Sequence, residues 1–117
     1  MKTLPALLRV AALSLAALPA AHAAATKPFS VALKPAQMHE ECMKIEAGEK
    51  RDYHWKANAP VDFNIHYHDA GKVSYPVKRE AMRGDGGTFA ASVSQDYCWM
   101  WTARDKPAKL EGKIDAK

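Results

Sequence analysis

The sequence predicts an all-β protein, a small antiparallel β-sandwich with one disulfide, on three observations. Short runs of alternating apolar and polar residues recur between clusters of turn-forming residues. No stretch after residue 23 shows a convincing amphipathic helical stripe. Two cysteines, Cys42 and Cys98, lie in a chain whose beginning marks it for an oxidising compartment.

That beginning reads as a secretory signal peptide over residues 1–23. Lys2 and Arg9 supply the positive region, the run from Val10 to Leu18 is apolar except for Ser14, and Ala21-His22-Ala23 matches a small-x-small cleavage site. A membrane anchor is disfavoured, because Pro19 closes an apolar core far shorter than the roughly 20 residues a spanning helix needs. The expected location is the periplasm or the secreted fraction. One sandwich domain follows over residues 24–117, with 24–28 as a flexible leader. Its 94 residues suffice for one small domain and bury only about 60 to 65% of the unfolded surface, so a covalent staple would help. One intramolecular disulfide is the simple reading, and a free or metal-bound thiolate pair competes with it.

The elements follow in order. Phe29, Val31 and Leu33 alternate between Pro28 and Pro35 as an edge strand. Met38 to Ile45 is ambiguous, since Met38, Cys42 and Ile45 also fit a helical face. Tyr53, Trp55 and Ala57 alternate with polar residues as a strand with one wet face. After Pro60, Val61, Phe63, Ile65 and Tyr67 point to the core, and His66 and His68 to the opposite face. Asp69-Ala70-Gly71-Lys72 turns a hairpin whose second arm carries Val73, Tyr75 and Val77, with Pro76 marking an edge or a bulge. Residues 79–87, containing Gly84-Asp85-Gly86-Gly87, read as a polar loop between sheets. Phe89 to Val93 forms another strand and Gln95-Asp96 a turn. Along 97–102 a paired Cys98 is expected to face inward with Met100 and Thr102, unless the strand is buried on both faces. Leu110 to Ile114 completes the set.

Charge narrows the function. Without Lys2 and Arg9, 15 basic and 13 acidic residues leave a net +2, interspersed rather than striped, so nucleic-acid binding is disfavoured. No second apolar run is long enough to cross a membrane. Catalysis has little support: G-x-S-x-G, H-E-x-x-H, C-x-x-C and phosphate-loop motifs are missing, and adjacent Glu40 and Glu41 point to opposite faces of a strand.

The order Glu41-Cys42, Gly48, Val61-Asp62-Phe63-Asn64-Ile65, Asp69-Ala70-Gly71-Lys72-Val73, Gly87-Thr88-Phe89 and Tyr97-Cys98 resembles a GOLD domain, the disulfide-stapled sandwich of Golgi cargo receptors, from about Glu41 to Met100. The resemblance implies the fold, a Cys42 to Cys98 staple, and binding of proteins or lipids without catalysis. The coiled coil and anchor of that family have no counterpart after the domain.

Two features carry candidate chemistry. His66 and His68 share a strand face about 6 to 7 Å apart, a spacing that lets both ligate one metal ion. Soft partners Met38, Met43 and Met100 would favour copper, while His39, His54, Asp62 or Glu40 would complete a zinc site; solvated surface histidines are the plain alternative. Tyr97, Trp99 and Trp101 read either as core aromatics or as a binding platform for a sugar, peptide or lipid head group. The sequence thus points first to an exported, non-enzymatic module that binds a protein or small ligand, and second to a periplasmic metal handler.

Overall fold

The structure is a computed structural model that describes residues 26–116, so the signal-peptide reading lies outside the described residues. Six antiparallel strands form it: β1 Thr26–Leu33, β2 Met38–Ile45, β3 Lys50–Asp69, β4 Lys72–Ala90, β5 Gln95–Ala103 and β6 Ala108–Ala116. Residues 26–28, expected in the leader, already belong to β1. The ambiguous segment at Met38 is a strand, its inward positions alternating up to the fully buried Ile45.

β3 organises the molecule. One edge pairs with β4 along nearly its whole length, while the other takes β6 at residues 51–57 and β5 at residues 61–66. Between Lys56 and Val61 the register with β4 shifts by three residues around Pro60, and there the sheet folds back on itself. The strand order β1-β6-β3-β5-β2 therefore curls into two layers, one holding β1, β6 and the start of β3, the other β2, β5 and its end. The open side is clasped where Lys27 Nζ of β1 meets Glu41 Oε2 of β2 at 2.8 Å, and His39 Nε2 lies 3.0 Å from Glu41 Oε1.

The residues expected to be a loop at 79–87 are instead the middle of β4. Gly84 and Gly86 lie flat against β3, where an added Cβ would stand 3.1 Å from the Trp55 carbonyl oxygen and 3.0 Å from that of Tyr53. Their glycines permit close approach, not looping. β4 also carries a bulge at Glu80-Ala81, with Ala81 at φ 53°, and the Asp62 carboxylate holds it by accepting the Ala81 N–H at 3.0 Å and Arg104 Nη1 at 2.6 Å.

The core lies between the layers and is aromatic. Phe29 reaches Trp101 with ring centroids 4.5 Å apart, Phe63 stacks on Trp101 at 5.5 Å, and Phe89 meets Tyr97 and Trp99 edge-on. Contrary to the expectation that a paired Cys98 faces inward, Tyr97, Trp99 and Trp101 take the inner face at 0% exposure, while Cys98, Met100 and Thr102 face out. The reason is area: each large aromatic removes roughly 150–250 Å² from water, at about 25 cal/mol/Å², and a disulfide staples two strands equally well from outside. The indole N–H groups of Trp55, Trp99 and Trp101 lack hydrogen-bond partners. Burial of each ring offsets that cost of about 1–3 kcal/mol.

Candidate functional site

The outer face of the layer containing β2, β5, the end of β3 and the start of β4 gathers most of the unexplained side chains. Registers place three rows across it. Glu40 faces Met100, which faces Asn64, which faces Lys78; Cys42 faces Cys98, which faces His66; and His68 faces Val73. Cys42 and Cys98 are bonded in directly opposed positions. The staple closes a loop of 56 residues, worth about 4 kcal/mol on the chain-entropy model.

His66 is the exception on this face, with only 4% exposure. Its Nδ1 stands 2.7 Å from Asn64 Oδ1, an oxygen that only accepts, so Nδ1 carries the proton and Nε2 keeps its lone pair. Nε2 lies 3.6 Å from Glu40 Oε1. Burial pushes the His66 pKa below its ordinary value; Glu40 opposes that shift and His68 adds to it. Around it the His68 ring sits edge-on at 5.3 Å and the Tyr75 ring at 5.8 Å, with Lys78 Nζ 5.2 Å above the Tyr75 centroid.

Three of the four exposed large apolar residues belong to this face: Met38 at 57%, Tyr75 at 47% and Val73 at 40%. Strict alternation would put Val73, Tyr75 and Val77 on one face. A bulge between the pairs Ile65/Val77 and Tyr67/Ser74 inserts one extra residue into β4, so Val77 stays half-buried while Val73 and Tyr75 turn out to solvent. Pro76 was the signal that could have found them, since a proline in a strand marks a bulge or an edge.

The other sequence candidates scatter. His66, His68 and Met100 do share the face, and Met38 stands at its far corner. Met43 points the other way and packs against the core, so the five-residue set of thioethers and imidazoles does not converge. His39 is in the clasp, His54 lies exposed on the opposite layer, and Asp62 serves the bulge. Tyr97, Trp99 and Trp101 form no binding platform, being wholly enclosed, and the Tyr97 hydroxyl donates to the Val93 carbonyl at 2.7 Å. Among the described residues, one trio of metal-capable side chains has its ligand atoms within 4.8 Å of one another, Glu40, Cys42 and Cys98, and its sulfurs are bonded together. No helix among the described residues is long and apolar enough to cross a membrane.

No protein-family model matches the chain, and none of the curated proteins matches it. Solved structures do. The periplasmic inhibitor of g-type lysozyme from Aeromonas hydrophila, PliG, superposes with a TM-score of 0.55 at 12% identity, over 86% of this chain and 93% of its own. PliG of Salmonella Typhimurium superposes with a TM-score of 0.55 at 16% identity, over 79% of this chain and 87% of its own. At these identities the likeness is one of fold.

Proposed function

We propose that this chain is a periplasmic, non-enzymatic module that binds a protein, and that the partner is a g-type lysozyme. The observation that carries the reading is the shared fold, which spans nearly the whole length of two periplasmic inhibitors of that enzyme class. The sequence supports it independently through its secretory signal and its lack of catalytic motifs. The surface offered to the enzyme is the outer face around Tyr75 and Val73, where apolar side chains stand exposed beside the turn at Asp69–Lys72. A tyrosine there supplies a large, rigid contact area with a polar tip. A GOLD-like relationship, carried by the same cysteines and hairpin, implies the same kind of activity and is proposed alongside it. The copper or zinc reading built on His66 and His68 loses Met43 to the core and gains no convergent third ligand from the methionines.

The test is clearance of a cell-wall suspension by a g-type lysozyme with rising amounts of the exported domain. Inhibition that saturates near one equivalent is expected. Undiminished clearance at micromolar excess would overturn the lysozyme assignment.

A further inference from the structure

The geometry points to a redox-gated zinc site on the outer face: when an external dithiol reduces Cys42–Cys98, the two thiolates, the Glu40 carboxylate and His66 Nε2 bind one Zn(II). This goes beyond lysozyme binding and does not depend on it. Cys42 and Cys98 face each other across β2 and β5, and His66 is the next residue along the same row, directly opposite Cys98 on β3. Glu40 joins the two halves of the set. A carboxylate oxygen lies within 4.8 Å of both sulfurs, and Oε1 is 3.6 Å from His66 Nε2. Ligand atoms of a tetrahedral zinc site stand about 3.5 Å apart, given bonds of about 2.0–2.3 Å. The Glu40 spacings are close to that, while His66 lies outside the group within 4.8 Å, so the sulfurs, once released from each other, must rotate toward Nε2 to complete the set.

The strongest pointer is the orientation of His66. A zinc-bound imidazole characteristically donates its second ring N–H to a carbonyl or carboxylate oxygen, which fixes the tautomer and aims the lone pair at the metal. Asn64 Oδ1 does this to Nδ1 at 2.7 Å, leaving Nε2 as the free donor turned toward Glu40. A solvated surface histidine has no need of such a partner, nor of 4% exposure. Two thiolates, one imidazole and one carboxylate suit zinc; the carboxylate is a poor ligand for Cu(I).

The chemistry balances without a further reactant. A thiolate of the dithiol attacks the exposed Cys42 sulfur, and the sulfur–sulfur bond breaks to give a mixed disulfide and the Cys98 thiolate. The second thiolate of the reagent closes its own disulfide and expels Cys42. Two electrons pass to the protein sulfurs, the reagent is oxidised, and zinc releases the protons still held on the thiols. With the disulfide intact neither sulfur is a thiolate, and the site is closed.

The experiment uses the exported chain, reduced with dithiothreitol, freed of reagent under anaerobic conditions, and titrated with Co(II) and then with Zn(II) against a chromophoric chelator. Near-ultraviolet dichroism of the buried tryptophans follows the fold throughout. Expected are one equivalent bound by the reduced chain, none by the oxidised chain, a thiolate-to-cobalt charge-transfer band, and at least tenfold weaker binding in both His66→Asn and Glu40→Gln. Glu40 is exposed, so its variant tests the ligand set without endangering the fold. Failure of the reduced chain to bind, tryptophan packing that zinc does not maintain or restore, or affinities unchanged in both variants would overturn the proposal; the last would mean that the thiolates act alone.

Discussion

Replacing Gly112 with alanine should destabilise the protein more than its single methyl suggests. Gly112 sits in β6 between Phe29 of β1 and Trp55 of β3, on the inward face of the first layer. A Cβ there would lie 2.4 Å from the His54 carbonyl oxygen, 2.7 Å from Phe29 Cζ and 2.7 Å from Trp55 Cβ. Ordinary contacts of these kinds are about 3.4 Å or longer, so the methyl must move backbone of the central strand by nearly an ångström. Rotating Phe29 relieves only one of the three. Overpacking of this kind costs about 1–3 kcal/mol, and a backbone obstacle places it at the upper end. Alanine recovers about 0.5–1 kcal/mol of glycine's conformational entropy in a strand, leaving a net loss of about 2 kcal/mol. For a domain of this size that lowers Tm by roughly 10 °C. Thermal unfolding followed by near-ultraviolet dichroism reads it directly. A Gly112→Ala protein melting within 2 °C of the parent would refute the tight approach of β6 to β3 on which the curled sheet depends.

Other outcomes follow from the same contacts. Converting both Cys42 and Cys98 to alanine should lower stability by about 2–4 kcal/mol, read as a drop in urea midpoint with a steeper slope as the released unfolded chain expands; an unchanged midpoint would mean the staple does not constrain the unfolded chain. Ala81→Gly should raise stability by up to about 1 kcal/mol, because φ 53° strains alanine and not glycine; a loss would show that the bulge is held differently. For His66 the folded pKa is depressed, so the unfolded chain takes up its proton first as pH falls. Stability present above about 6.5 is therefore lost between that value and the lower folded pKa. The urea midpoint should decline across this window more steeply in the parent than in His66→Gln, and equal declines would contradict the burial of a neutral imidazole.

How much of this was legible in the sequence depends on what each residue has to do. Alternation in Val61 to Tyr67 was enough to place four side chains inward and the two histidines outward, because period two is a local property of any strand. Two cysteines in a chain whose beginning reads as an export signal likewise implied the staple. Local pattern failed where pairing decides. The glycines at 84 and 86 look like a loop until β3 lies beside them, and the separate facings of Tyr75 and Val77 follow from a bulge opposite His66 that alternation alone does not place. The facing of β5 turned on a competition, three aromatics against a cystine for the interior, which depends on relative buried area more than on sequence order. Asn64 carried no sequence signal at all; its part is visible only through the 2.7 Å contact with His66.

The central claim is that the Tyr75 face binds a g-type lysozyme, and isothermal titration of that enzyme with the parent protein and with a Tyr75→Ala/Val73→Ser variant tests it most directly. Both side chains are exposed, so the variant should keep the parent's stability within about 0.5 kcal/mol. The account predicts one-to-one binding by the parent and a loss of at least tenfold in affinity for the variant, as expected of an aromatic anchor. Absence of binding by the parent would contradict the claim as a whole, and undiminished binding by a folded variant would contradict the choice of face.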